Sequence, residues 1–238
     1  MTDPHSKSSN TPHAGPASPW MVRTSQPRGI HPPSIDGRTP CRHLGSLTIA
    51  DRWLLLKDRR EPRIGYRFHE RPTPRAIARL RAAAGVHRPH TLQTESIIED
   101  ETRHVWLVTP YIGDAGGLIS LDKLAAHRGG RLPVLEVTQA VHQIHAALQS
   151  IRDARLHHPD LTFDQILICH RGMLHIELPD APDTRRINEP TDDQRTAAVL
   201  GAQLLTGQRN PVARTLGDQL TRSERRSAVA RWIMNHLD

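Results

Sequence analysis

The sequence predicts an α+β fold: a small antiparallel sheet followed by a helical half. Three observations carry that expectation. Between residues 53 and 108 the apolar residues come in short strand-like runs, broken once by a helical stretch. From Leu118 onward they recur mostly at helical spacing. Ahead of both lies a segment, residues 1 to about 42, made largely of Pro, Ser, Thr, Gly and His.

That first segment carries Pro4, Pro12, Pro16, Pro19, Pro27, Pro32, Pro33 and Pro40, which interrupt any helix or strand. It offers too little apolar surface to offset its ordering entropy, so residues 1–42 are expected to be a disordered tail. Its lack of an apolar core argues against a secretory signal. Trp53 to Lys57 is the first strand candidate, and Arg63 to Phe68 is the return strand of a hairpin. Pro72 and Pro74 precede a helix whose apolar face is Ile77, Leu80, Ala83 and Ala84, and Gly85 stops it. Leu92 to Ile98 and Val105 to Val108 are two further strands joined by the acidic turn Glu99 to Glu101.

In the second half, Leu121 and Leu124 open a short helix that Gly129-Gly130 ends. Pro133 starts a longer one with a buried stripe of Val137, Val141, Ile144, Leu148 and Ile151. Ile166–Ile168 and Leu174–Ile176 are short strands around the turn His170-Arg171-Gly172. A helix from about Asp192 to Leu205 ends at Gly207. Thr221 with Glu224 forms a capping box that starts a last helix.

Composition narrows the function classes. No run of 18 apolar residues is present, so no membrane span is expected. The two cysteines, Cys41 and Cys169, make neither a metal spacing nor a disulfide framework, which fits a reducing, cytoplasmic setting. The net charge is +7, almost all of it Arg, since the only lysines are Lys7, Lys57 and Lys123. The arginines are spread along the chain rather than massed in one nucleic-acid footprint.

Several strings resemble the protein kinase family. His158-Pro159-Asp160-Leu161-Thr162-Phe163-Asp164-Gln165-Ile166-Leu167-Ile168 resembles the family's catalytic loop, with Asp160 where the base sits and Gln165 where a metal-binding Asn sits. Val105 to Ile112 resembles the strand that runs into the hinge, with Thr109 as gatekeeper and Tyr111 and Ile112 meeting adenine. Gly116 to Leu121, Gln143 to Leu148, and Asp193 to Gly207 resemble three later stretches in the family's order. The resemblance spans about residues 44 to 210. It implies a two-lobed protein kinase-like fold, with an N-lobe over 43–110 and a shortened helical C-lobe over 111–238.

The departures bear on chemistry. Only Gly45 stands where a Gly-rich loop should cover phosphates, and the strand lysine falls on Arg67. Lys57 is the one lysine of the first lobe and a substitute candidate for the phosphates. No acid occurs between Pro74 and Leu92 to pair with either. The D-F-G triplet falls on Glu177-Leu178-Pro179, so Gln165 and Glu177 would form the metal set, although Gln is a poor ligand for a hard cation. His142 and His145, one helical turn apart, read as helix-surface residues, and Asp193 reads as a helix N-cap.

Three readings follow. The leading one is a catalytically impaired kinase-like module, a pseudokinase that binds or regulates a protein partner and holds ATP and magnesium weakly or not at all. The second is an atypical ATP-dependent Ser/Thr protein kinase with Asp160 as base, Gln165 and Glu177 at the metal, and Arg67 or Lys57 at the phosphates. The third is a basic nucleic-acid-binding module.

Overall fold

The computed structural model describes residues 32–58, 61–114, 116–154, 156, 158, 161–177, 193–209 and 213–237. The expected tail therefore lies outside the described residues up to position 31, and Asp160 lies outside them as well.

The architecture is α+β, built on a five-stranded antiparallel sheet. Its strands are β1 (Thr39–Ser46), β2 (Ala50–Lys57), β3 (Glu61–Phe68), β4 (Ser96–Glu99) and β5 (Val105–Pro110), in the order β1-β2-β3-β5-β4. β1 begins four residues inside the stretch whose composition reads as tail. Its Pro40 and Gly45 hide the strand pattern, and its pairing with β2 slips twice, between Pro40 and Arg42 and between His43 and Gly45. An edge strand tolerates both features because only one side must be paired. β2 pairs with β3 without a break, from Ala50–Phe68 to Lys57–Glu61.

Period-two alternation sorts the sheet into two faces. Ala50, Ile64, Tyr66, Phe68, Val105 and Leu107 line the inner face and pack with Leu80 and Leu92. Leu55, Trp106 and Val108 line the outer face under Ile35. Gly65 permits that outer packing, because a Cβ there would stand 2.6 Å from a Leu55 methyl and 3.1 Å from the Trp106 ring. Asp100 orders the β4–β5 turn by accepting from the Thr102 and His104 amides and from the Trp106 indole.

The first helix, α1 (Pro74–Ala83), starts at the break that Pro72 and Pro74 set, and the Thr73 hydroxyl caps it by accepting from the Ala76 amide. β4 is shorter than the run Leu92–Ile98 promises. Leu92 instead donates its amide to the Ile176 carbonyl, and His90 accepts from the Ile176 amide, so this part of the chain extends a different sheet.

The helical half contains α2 (Leu121–His127), α3 (Val134–Asp153), α4 (Asp193–Thr206), α5 (Ala213–Gln219), α6 (Arg222–Arg225) and α7 (Ala228–His236). The hairpin β6 (Ile166–Ile168) and β7 (Leu174–Ile176) sits between α3 and α4 in sequence, preceded by a 3-10 turn at Phe163–Gln165. The Thr221–Glu224 capping box forms, but its helix lasts one turn; Ser227 then caps α7 afresh. α5 has no counterpart in the apolar pattern. Val137, Val141, Ile144, Leu148 and Ile151 of α3 are buried against α4, α7 and the hairpin. Leu118 and Leu167 leave this half to pack into the inner face of the five-stranded sheet, so the two cores meet there.

Candidate functional site

Where the cores meet, the inner face of β2 carries a charge. Ala50, Arg52, Leu54 and Leu56 all point inward, and all are buried. A guanidinium in such a row requires a partner, since an unpaired buried charge is prohibitive. The partner is Glu177, directly after β7. The Arg52 Nη2 lies 2.8 Å from Glu177 Oε2, and it also donates to the Asp164 carbonyl at 2.8 Å. The Asp164 carboxylate stands farther off, 3.8 Å from the same nitrogen.

The other carboxylate oxygen of Glu177 is taken by β3. The Tyr66 hydroxyl donates to Oε1 at 2.6 Å. The main chain of Glu177 is held too: its amide donates to the Gln165 carbonyl at 2.9 Å, and its carbonyl lies 3.0 Å from His158 Nε2. Exposure is 0 % for Glu177, 1 % for Tyr66 and 7 % for Arg52, so the cluster is sealed from solvent. Burial pushes the Glu177 carboxyl up to about 7, against the opposing pull of the Arg52 charge and the Tyr66 hydrogen bond. Burial, reinforced by the Glu177 charge, raises the Tyr66 phenol well above its ordinary value.

The structure brings some expected site residues to this cluster and leaves others elsewhere. Glu177 is its centre. Thr109 is buried on β5 beside the Tyr66 hydroxyl. Gln165 touches the cluster through its carbonyl only; its side-chain oxygen accepts from the Thr162 amide at 3.0 Å and so closes the 3-10 turn. Tyr111 and Ile112 pack against the sheet core where the chain leaves β5, and the Tyr111 hydroxyl donates to the Asp114 carbonyl at 2.8 Å.

Arg67 does not reach Glu177. It follows Tyr66 on β3 and therefore projects from the opposite, outer face, where its guanidinium lies 3.1 Å from the His104 ring. Lys57 also belongs to the outward-facing set with Trp53 and Leu55, and it is exposed at the end of β2. Asp160 lies outside the described residues. Asp193 is the first residue of α4, buried and ion-paired with Arg152 at the end of α3. His142 is exposed on α3, while His145 faces the Trp232 ring of α7.

Sequence reasoning missed Arg52 and Tyr66. The signal for Arg52 was present in the alternation Ala50-Arg52-Leu54-Leu56, provided the strand is started before Trp53. Tyr66 carried none, because a tyrosine fits an apolar strand face whether or not its hydroxyl has a partner.

Chemically, the cluster is a closed ion pair with a phenol on its second oxygen. Both Glu177 oxygens lie against protein groups, Oε2 against the Arg52 guanidinium and Oε1 against the Tyr66 hydroxyl. Among the described residues no three His, Cys, Asp or Glu side chains converge as a metal set, and no helix is long and apolar enough to cross a membrane. Neither the family models nor the curated proteins with which the chain was compared give a match.

Proposed function

We propose that the chain is a protein kinase-like module that has lost phosphoryl transfer and serves as a binding or regulatory protein. The element order supports the kinase-like part. A sheet interrupted by one helix leads through Tyr111 and Ile112 into helices, and the string resembling a catalytic loop runs from the end of α3 into β6. The loss of transfer rests on one observation: Glu177, at the position expected of the magnesium-binding acid, is fully buried and engaged by Arg52 and Tyr66. Phosphoryl transfer needs that acid free to hold the metal against the phosphates. Gln165, the second expected ligand, spends its side-chain oxygen on Thr162.

Thermal unfolding with and without millimolar ATP and magnesium tests this reading. A ligand confined to the native state raises the midpoint by mass action, so an unchanged midpoint is the expected result. A magnesium-dependent rise, with phosphate transfer that Asp160→Ala abolishes, would overturn it.

A second reading keeps the activity. Arg52 is a sheet-borne cation meeting the acid at the end of β7, which is the pairing a strand lysine would supply, although it comes from β2. Here Arg52, rather than Arg67 or Lys57, would meet the phosphates, with Asp160 as base. The titration followed by a phosphate-transfer assay decides between the two, because only this reading requires both a magnesium-dependent rise and transfer.

A further inference from the structure

Two stretches of the chain carry cations and no acid. Arg71 to Thr94 contains five Arg and two His, and Gln165 to Ile176 contains His170, Arg171 and His175. The acids that bound these stretches are Glu70, Glu95, Asp164 and Glu177. Three of them are engaged: Glu95 by Arg63 at 2.6 Å, and Asp164 and Glu177 by Arg52.

The fold joins the two stretches. The Leu92 amide donates to the Ile176 carbonyl and the Ile176 amide to the His90 carbonyl, each at 2.8 Å, and His90 Nδ1 lies 3.3 Å from the Leu174 carbonyl. Burial holds the His175 ring below its ordinary value, and the charges of His90 and His87 lower it further. The loop after α1 is thus fixed against β7. On α1 itself, Ala76, Leu80 and Ala83 face inward, which leaves Arg75, Ala78, Arg81 and Ala82 exposed on the other side. Arg75, Arg81 and Arg171 are exposed without an ion-pair partner among the described residues, whereas the neighbouring Arg63 and Arg71 are both paired. Two of the four large apolar side chains exposed among the described residues stand in the same stretches, Val86 at 46 % and Met173 at 40 %. Neither stretch contains Trp, Tyr or Phe, so a nucleic-acid base would have no ring to stack on.

We propose that the outer face of α1, the loop 84–90 and the β6–β7 turn form a docking surface for an acidic peptide segment of a protein partner. Its carboxylates would meet Arg75, Arg81 and Arg171, and an aliphatic side chain beside them would cover Val86 or Met173. Charge complementarity of this kind selects the partner and speeds encounter more than it tightens the complex, so a Kd on the order of 50 µM is expected for a short peptide. The inference rests on the proposed function only in taking the chain as a binding protein; it does not depend on whether the chain holds ATP.

Fluorescence anisotropy on the full chain tests this with three labelled probes: a peptide of three Glu-Glu-Leu repeats, a matched peptide of Lys-Lys-Leu repeats, and a single-stranded RNA of similar length. The Glu peptide should bind and weaken several-fold as salt rises from about 50 to about 200 mM, and the Lys peptide should not bind. Arg81→Glu/Arg171→Glu should weaken the Glu peptide about tenfold, and Arg226→Glu, an equal change per site on an exposed arginine after α6, by less than about twofold. Both arginines of the double variant are exposed and unpaired, so its thermal midpoint should match the parent's; Arg75→Glu, about threefold weaker, gives an independent reading. No binding of the Glu peptide up to about 1 mM, equal binding of the Lys peptide, or equal losses in the double variant and Arg226→Glu overturns the proposal. RNA that binds more tightly than the Glu peptide and loses affinity in the same double variant also overturns it, and assigns the surface to phosphates. A magnesium-dependent ATP shift with phosphate transfer would instead overturn the proposed function and leave this surface standing.

Discussion

Replacing Arg52 by Met removes the cation beside Glu177 while keeping a stem of similar length. Two costs follow, and they separate by pH. The bond to the Asp164 carbonyl is lost at every pH, at about 1 kcal/mol. The second cost falls on Glu177, whose carboxyl titrates at about 7 in the parent. Without Arg52 it stays protonated in the folded state at higher pH, while the unfolded chain ionises near the ordinary value. Each pH unit above about 7 then adds roughly 1 to 1.5 kcal/mol of destabilisation relative to the parent. Below that range both proteins carry a neutral Glu177, and the second cost vanishes. The variant should lose about 1 kcal/mol at pH 6 and about 3 kcal/mol at pH 8.5, close to the cost of breaking other buried pairs. Arg52→Met/Glu177→Gln has no carboxyl to desolvate, keeps a partner for Tyr66, and should recover most of the pH 8.5 loss. Urea unfolding of the three proteins at pH 6, 7, 8 and 8.5 measures all of this, provided the slopes against denaturant agree. A loss that is flat with pH, or a double variant as unstable as Arg52→Met at pH 8.5, would refute the coupling.

Glu177 also shapes the parent's own pH dependence. Its folded value lies above the unfolded one, so the folded state binds more protons between about 4.5 and about 7. Its contribution to stability is present below that window and falls as pH rises through it; comparing the parent with Glu177→Gln isolates the slope. His175 has the opposite sign, because burial holds its ring below 6.5 and its contribution is lost as pH falls through the folded value; His175→Gln should flatten that acid limb. Asp100→Ala leaves two turn amides and the buried Trp106 indole without their acceptor, and thermal unfolding should report a loss of about 2 to 4 kcal/mol. Gly201→Ala places a Cβ 2.5 Å from a Val141 methyl and 2.8 Å from Ile233 Cδ1, so calorimetry should show about 1 to 3 kcal/mol of overpacking. A nucleic-acid-binding role predicts affinity that falls steeply with salt; a single-stranded RNA probe whose retention is insensitive between 50 and 200 mM salt removes that role.

Local signals explain most of the elements. Pro74 after Thr73 starts α1, Pro133 precedes α3, and Thr221 with Glu224 makes its capping box, all because the groups involved lie within one turn of one another. The same locality sets the errors. β1 is written with Pro40 and Gly45 and becomes a strand only because β2 lies beside it. Leu92 alternates like the residues of β4 but pairs with Ile176. α6 and α7 read as one helix until Ser227 caps the second.

The sequence by itself determined the α+β class, the alternation that divides each strand between two faces, and the presence of an acid at position 177 after a short hairpin. Only the tertiary structure decided what that acid does. Tyr66 and Glu177 are 111 residues apart, and no spacing rule links them. Arg67 and Arg52 are both strand arginines, yet Tyr66 preceding Arg67 takes the inner face and turns Arg67 outward, while Arg52 falls in register with Ala50, Leu54 and Leu56. Side-chain period assigns each residue a face, but which face is buried, and against which acid, is settled by the packing of one core on the other.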